Sequence, residues 1–203
     1  MTNIVRTYGM LRHIEWNATS IDSNASGYCL WSMDAHPQCD VGRVYNVRSS
    51  GGLTQFAMPP ISVMASCYQL WRGSFELRFD VVASKFHTGK LLIAYIPGVC
   101  ERVGVMQNIS MIQARSSAHA IISLENTTSF NFVVPYINDQ AWCYRKYGNA
   151  QNTNIRGSPG RIYMFVVNPL VLMESVSSIV TIVPYIRAGL DFELSLVAQP
   201  SVG

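Results

Sequence analysis

The clearest folding signal in the sequence is the segment FELRFDV at residues 75–81, in which apolar and charged side chains alternate. The apolar side chains are Phe75, Leu77, Phe79 and Val81, and the charged ones are Glu76, Arg78 and Asp80. Successive side chains of a β-strand point to opposite faces, so this spacing predicts a strand with one buried and one polar face. The register is predicted as well, because a slip of one residue would exchange the two faces.

Segments of strand-like composition recur along the rest of the chain. Each is rich in Ile, Val, Phe or Tyr and bounded by turn residues; they are residues 91–96, 119–124, 130–137, 161–168 and 179–187. With further strands near residues 9–17 and near Thr54, the total is about eight. The chain is too long for an immunoglobulin sandwich of about 100 residues. We therefore predict an all-β fold, an eight-stranded antiparallel jelly-roll β-sandwich with long loops. No linker interrupts it, so we expect one domain, residues 1–203, with core strands between residues 9 and 197.

Helical spacing is confined to two short segments. The first is predicted by apolar residues three, four and three positions apart, directly after a Pro-Pro pair that suits a helix start. These residues are Ile61, Met64, Tyr68 and Trp71. The second helix is expected to contain Met106, Ile109 and Ile112.

The composition indicates a surface that other chains cover. Hydrophobic residues make up 49% of the chain and charged residues 13%, against about 25% charged in typical soluble domains. A monomer of this mass exposes about 9,500 Å², which so few charges cover thinly. The most apolar stretch, residues 91–100, is interrupted by Pro97-Gly98 and is too short to span a bilayer. We expect no membrane insertion, no signal peptide in residues 1–9, and burial against partner chains.

Candidates for catalysis are few. They are His13, His36, His87 and His119, with Cys67, Cys100 or Cys143 as the nucleophile. No hydrolase signature surrounds them, so we predict that the protein is not an enzyme and has no catalytic residues. The cysteines are instead expected to be small buried hydrophobes. His87 is expected to be a turn residue that is hydrogen-bonded to the backbone.

Metal and cofactor sites are equally weakly indicated. The five cysteines form an odd set without a Cys-x-x-Cys pair, which favours neither a disulfide framework nor a zinc site. His36, Cys39 and Asp40 offer three ligand types in one segment, but no fourth ligand accompanies them. We predict no metal, no cofactor and reduced thiols in a cytosolic environment.

An ordered set of short motifs covers most of the chain. It contains W-x-G-S, F-H-x-G-K-L, Y-x-P-G, a later P-Y and a later N-P. The motif residues are Trp71, Gly73, Ser74, Phe86, His87, Gly89, Lys90, Leu91, Tyr95, Pro97, Gly98, Pro135, Tyr136, Asn168 and Pro169. Over residues 9–197 this order resembles the major capsid proteins of picorna-like viruses. The F-H-T-G version resembles that of invertebrate viruses, such as the dicistroviruses and iflaviruses.

The resemblance implies a structural capsid subunit of a small, non-enveloped, icosahedral positive-strand RNA virus. Such a subunit assembles with other jelly-roll subunits into a pseudo T=3 shell, and this one is most similar to those that alternate around three-fold axes. The implied locations are the virion and, during assembly, the host cytoplasm. Packaged genomic RNA is implied as a partner, bound weakly or through termini beyond this chain, with a host receptor as a further partner. The chain is then expected to be a product or fragment of a polyprotein.

Five motif and strand residues carry physical expectations of their own. Gly73 and Gly89 are expected to adopt backbone angles that a Cβ would forbid. Trp71 is expected to close one end of the core, where its ring N–H needs a partner. A proline cannot donate a ladder hydrogen bond, so Pro135 and Pro184 are expected at strand ends or edges.

An aromatic segment follows the predicted strand that contains Pro135-Tyr136. It comprises Trp142, Tyr144 and Tyr147, beside Arg145 and Lys146. Such residues stack on bases of single-stranded nucleic acid, but they also anchor protein contacts, which is the interpretation we favour. The alternative function, a secreted lectin-like or cytokine-like jelly-roll module, lacks the expected signal peptide and even cysteine count.

Overall fold

The computed structural model describes residues 2–38, 58–98, 109–125, 127–144, 158–173 and 176–197. The helices are α1 (Thr2–Val5), α2 (Pro60–Ser66) and α3 (Met111–Arg115). The first six strands are β1 (Gly9–Met10), β2 (Ile14–Asn17), β3 (Cys29–Asp34), β4 (Tyr68–Arg72), β5 (Phe75–Val82) and β6 (Thr88–Pro97). The remaining strands are β7 (Ala118–Ser123), β8 (Ser129–Val134), β9 (Cys143–Tyr144), β10 (Gly160–Val171), β11 (Ile179–Ala188) and β12 (Glu193–Val197).

Two antiparallel sheets enclose the core. One has the order β1-β11-β5-β8, with β2 also paired to β11, and the other has the order β3-β10-β6-β7. Since β1 and β2 share one neighbour, they occupy a single position, and the two sheets together contain eight positions. The predicted jelly-roll sandwich is therefore confirmed. A smaller sheet, β12-β4-β9, lies at one end.

The predicted register of β5 is correct. Phe75, Leu77 and Phe79 are almost completely buried, whereas the charged residues between them are partly exposed. Phe79 stacks on Phe130 with ring centroids 4.8 Å apart and meets the edge of Trp31 at 5.9 Å. Burial of each such side chain contributes about 1.5–3 kcal/mol, so this row supports much of the core.

The two ends of the sandwich differ, and we name them by their residues. The turn end contains residues 18–28 and 83–87 and the described residues that follow β7 and β10. The Trp71 end contains β4, β9 and β12 and residues 35–38 and 189–192.

The first predicted helix is only half correct. α2 ends at Ser66, with Cys67 as its C-cap, and Tyr68 and Trp71 lie on strand β4 instead. β4 pairs with β12 and β9, both distant in sequence, and these backbone hydrogen bonds override the apparent helical spacing.

Within the described ranges, no helix is long and apolar enough to cross a membrane.

The second helix occurs in the predicted region with a different register. α3 begins at Met111 after Ser110, which forms a capping box with Gln113, so Ile109 precedes the helix. Ile112 is 79% exposed, and Ala114 is the buried residue of α3. Met106 lies outside the described residues.

The strands of the structure differ from the predicted ones near the N-terminus. β3 has no counterpart among the predicted strands, and the one expected near Thr54 lies outside the described residues. The predicted strand over residues 9–17 is divided into β1 and β2.

The two strand prolines behave differently. Pro135 directly follows the end of β8, as predicted. The prediction for Pro184 is wrong, because Pro184 lies inside β11, a central strand. Its carbonyl accepts a hydrogen bond from the Leu11 N–H at 2.8 Å, so its nitrogen faces the break between β1 and β2. No ladder hydrogen bond is needed there, which permits a proline.

The two motif glycines serve different purposes. Gly73 has φ +104°, as expected for a turn that a Cβ would disfavour, and a side chain there would strike the backbone of Asp191. Gly89 does not have a positive φ, so the prediction for it is wrong. A Cβ at Gly89 would lie 2.7 Å from Trp16 Cη2, and the glycine therefore makes room for that ring.

Candidate assembly surfaces

His87, which is 2% exposed, joins two segments of the turn end by hydrogen bonds. The Ser84 N–H donates to His87 Nδ1 at 3.0 Å, and His87 Nε2 donates to the Ser177 carbonyl at 2.8 Å. The ring thus joins the β5–β6 turn to the residues before β11, and the predicted hydrogen bonding of His87 to the backbone is confirmed.

Asn24 forms a second set of hydrogen bonds at the turn end. The sequence analysis did not identify this residue. Asn24 Oδ1 accepts hydrogen bonds from Trp16 Nε1 at 2.9 Å and from the Leu170 N–H at 2.6 Å. Its Nδ2 donates to the carbonyls of Ala18 and Leu170 at 3.1 and 3.0 Å. All four hydrogen-bonding positions of this amide are used, so the turn that contains Asn24 is tied to β10.

The turn end also exposes a group of large apolar side chains, which we call the apolar tip. Its members are Ile21, Val82, Phe86, Val171, Met173 and Ile179, with exposed fractions between 41% and 90%. They lie on separate turns and strand ends that His87 and Asn24 hold in place. Several large exposed apolar side chains at one end of a domain are typical of a surface that another protein covers.

Four motif residues border a cleft beside the apolar tip. Gly89, Lys90, Asn168 and Pro169 contribute to its wall, together with Glu125, and the cleft has a volume of about 310 Å³. Asn168 pairs with Lys90 between two shifts in the register of β10 and β6.

Trp71 closes the other end of the sandwich, as predicted. It is 2% exposed, its ring meets those of His36 and Tyr136 edge-on at 5.3 and 5.7 Å, and it stacks near Phe192 at 6.2 Å. Cys143 lies opposite Trp71 on the neighbouring strand. The remaining core motif residues, Leu91 and Tyr95, are completely buried on β6. Pro97 ends β6, and Gly98 follows it with φ +76°.

Ser74 and Asp191 connect the bend after Trp71 to the bend after β11. The Ser74 N–H donates to Asp191 Oδ1 at 3.0 Å, and the Ser74 hydroxyl donates to the same oxygen. Partial burial opposes ionisation of Asp191, but the hydrogen bonds from Ser74 outweigh it and lower the pKa of this carboxyl. Ionised Asp191 therefore stabilises the contact between the two bends.

The thiols and phenols near Trp71 are unsuited to nucleophilic chemistry. Burial raises the pKa of Cys143, even though Asn138 Nδ2 donates to its Sγ at 3.1 Å and Tyr136 Oη lies 3.5 Å from it. Burial also raises the pKa of Tyr136 to about 12 and that of Tyr95 still further. A thiol that stays protonated is a poor nucleophile.

The predictions for the other cysteines are mixed. Cys143 is buried as expected, whereas Cys67 is exposed, because it caps α2 at the surface. Cys100 lies outside the described residues, and so do Cys39 and Asp40 of the segment with three ligand types. In the part of the chain that the structure describes, no three potential metal ligands cluster.

The predicted aromatic interface is placed in part. Trp142 is half-buried beneath Arg72, whose guanidinium carbon lies 4.5 Å from the ring centroid, and Arg72 pairs with Glu193 at 2.6 Å. Tyr144 is 58% exposed. Tyr147, Arg145 and Lys146 lie outside the described residues. Tyr144 therefore offers more free area for a partner than Trp142 does.

The polar face of β5 pairs its charges within the chain. Arg187 donates to Glu76 Oε2 from Nε and Nη2 at 2.9 and 2.6 Å, and Arg78 pairs with Asp80 at 2.8 Å. Both guanidinium groups also lie over the Tyr8 ring. The face is thus locally neutral and offers no free basic side chain from β5 for phosphate binding.

The jelly-roll order of the strands and the ordered motifs agree with a family model described as picornavirus capsid protein, which matches residues 2–160. The chain belongs to this family. The capsid protein is a structural component of a picorna-like virion rather than an enzyme, and none of the matches reported below supports a secreted binding module.

Individual relatives agree with this assignment. The genome polyprotein of Deformed wing virus is 32% identical over 203 residues, which is 100% of this capsid protein and 7% of the polyprotein. A solved structure of deformed wing virus, a honeybee pathogen, matches with a TM-score of 0.81 and 32% identity, over 98% of this chain and 50% of that one. A structure of sacbrood virus of honeybee matches with a TM-score of 0.73 and 25% identity, over 98% and 74% of the respective chains.

Proposed function

We propose that residues 1–203 form one capsid domain that assembles with other jelly-roll subunits into a closed icosahedral, pseudo T=3 shell around a positive-strand RNA genome. The observation that carries this proposal is the apolar tip, the group of exposed apolar side chains at the turn end. In water these side chains are unfavourably placed, and burial against neighbours would stabilise each by about 1–2 kcal/mol. Many such contacts, repeated by symmetry, close a finite shell.

The aromatic segment is the second proposed contact. Trp142, Tyr144 and Tyr147 have the side chains that most often anchor protein interfaces. Tyr144 is exposed and Trp142 is held in one orientation by Arg72. Trp142 and Tyr144 lie at the Trp71 end and the apolar tip at the turn end, so one subunit would contact neighbours in two directions.

Genomic RNA is proposed as a weak partner of this chain. The formal net charge of the chain is only +3, and Arg78 and Arg187 are paired with carboxylates. Strong phosphate binding requires several unpaired basic side chains, so RNA contact would be weak or made by parts of the shell beyond this chain.

We also propose assembly in the host cytoplasm, a position near a three-fold axis, and contact with a host receptor.

The test of assembly uses the apolar tip. We would produce the double variant Phe86→Ser/Met173→Ser together with the other capsid subunits and measure particle formation by sedimentation. The control is Val133→Ser. It replaces an apolar side chain on β8 that is 56% exposed, the same fraction as Phe86. We expect the tip variant to remain folded by circular dichroism and to lose shells, and the control to assemble. Shells of normal yield from the tip variant would contradict the proposal.

A further inference from the structure

Three buried polar side chains near Trp71 have an atom without a hydrogen-bond partner in the described structure. These atoms are Trp71 Nε1, Tyr95 Oη and Gln38 Oε1. Their residues are 2%, 0% and 5% exposed, respectively. A buried polar atom without a partner is destabilising, and three of them in one region call for an explanation.

The three residues surround a common set of neighbours. Tyr136 and Cys143 lie beside Trp71, and both are close enough to Tyr95 to affect its ionisation. Gln38 is connected through His36, because the Gln38 N–H donates to His36 Nδ1 at 3.0 Å and the His36 ring meets Trp71. Trp71 and Tyr95 therefore share Tyr136 and Cys143 as neighbours, and the backbone of Gln38 is linked to Trp71 through His36.

We propose that this region is a binding site for ordered water, which bridges Trp71, Tyr95 and Gln38. The indole N–H can only donate, the amide oxygen can only accept, and the phenol hydroxyl can do both. A water molecule accepts from Trp71, donates to Gln38 and pairs with Tyr95, which gives the three hydrogen bonds typical of buried water. A metal cation cannot accept from the indole N–H, and an anion without a proton cannot donate to the amide oxygen.

The site has a structural consequence for the aromatic segment. Gln38 follows β3, Trp71 lies on β4 and Tyr95 lies on β6, so the water joins three parts of the chain distant in sequence. Cys143 of β9 lies against the same region, one residue from Trp142 and Tyr144. The bound water thus supports the base of the aromatic segment, whatever that segment contacts.

The test is the variant Tyr95→Phe in the full chain, which removes only the hydroxyl. If water bridges this group, the variant leaves a bound water with one partner fewer, and the melting temperature falls by about 2–4 °C. Tyr136→Phe is the control, because Tyr136 Oη donates directly to the Gln140 carbonyl at 3.0 Å. It is expected to show a fall of similar size.

The decisive second measurement locates the water directly. We expect a high-resolution structure of the wild type to show water within hydrogen-bond distance of Trp71 Nε1 and Tyr95 Oη, and the Tyr95→Phe variant to show that water displaced or lost. An unchanged or raised melting temperature for Tyr95→Phe would overturn the proposal. A fall in melting temperature without water at the site would overturn it as well.

Discussion

Asn24 shows how one polar side chain can determine the shape of an entire end of the sandwich. Its amide joins Trp16 of β2, its own turn, and Leu170 of β10. Trp16 is completely buried, and its indole N–H would have to stay unpaired without Asn24. The sequence offers no signal for this role, because the bonded positions are 8 and 146 residues away.

We expect Asn24→Ala to lower the free energy of unfolding by about 2–3 kcal/mol, since it leaves the Trp16 N–H and the backbone of Leu170 without partners. Asn24→Asp should be intermediate, because it keeps the acceptor and loses both donors. Denaturant unfolding measures both effects. The control, Asn131→Ala on the exposed face of β8, should change stability by less than about 0.5 kcal/mol. Equal effects of Asn24→Ala and Asn131→Ala would contradict this role.

Asp191 predicts a defined pH dependence. Its pKa is lowered in the folded protein, so its ionised form contributes stability above the unfolded pKa, near 4, and this contribution is lost as the pH falls through the folded pKa. At pH 7 we expect Asp191→Asn to be less stable than the wild type. Below about pH 4 the difference should shrink. Thermal unfolding between pH 3 and pH 7 measures it, and a difference that does not vary with pH would show that the Ser74 contact does not depend on charge.

At the scale of elements, strands were predictable wherever apolar residues alternated or clustered between turns. The sequence predicts β5, β6, β10 and β11 directly, because the apolar side chains within each segment indicate a buried strand. The end of α2 could not be predicted, because β4 is defined by pairing with β12 and β9 rather than by its own residues. The position of Pro184 was missed for a similar reason. A proline is tolerated inside β11 because of the break between β1 and β2 opposite it, and the residues of β11 do not indicate that break.

The bend between β4 and β5 predicts a contrast between two glycines. Gly73 and Gly27 both have positive φ, but a Cβ at Gly73 would strike the Asp191 backbone, whereas a Cβ at Gly27 would meet open space. We expect Gly27→Ala to cost about 1 kcal/mol of stability and Gly73→Ala about 3 kcal/mol or more. Chemical denaturation compares the two. If Gly73→Ala were no worse than Gly27→Ala, the close approach of the two bends would not hold.

For the whole molecule, the low charge and the exposed apolar side chains are typical of a subunit that other chains cover in an assembly. The family was predictable because its motifs are local and keep their order along the chain. The proposed contact surfaces were predictable only in part. Trp142 and Tyr144 are recognisable by residue type, but the apolar tip combines residues from turns and strand ends that are remote in sequence.

The aromatic segment predicts an effect on assembly separate from folding. We expect Tyr144→Ala, and also Trp142→Ala, to weaken assembly by about 2 kcal/mol if each is an interface anchor. Val133→Ala, which truncates a 56% exposed side chain on β8, is the control and should have little effect. Sedimentation measures the assembly and circular dichroism the folding. Intact shells from both aromatic variants, with unchanged salt tolerance, would show that this segment is not an anchor.

This chain is a capsid subunit, and we propose that neighbouring subunits bury its apolar tip. The most direct test is electron cryomicroscopy of the particles formed when the chain is produced together with the other subunits. We predict closed icosahedral shells, with this chain as one jelly roll and with Phe86 and Met173 covered by neighbours. Shells in which these side chains face solvent, or a chain that stays outside the shells, would contradict the account.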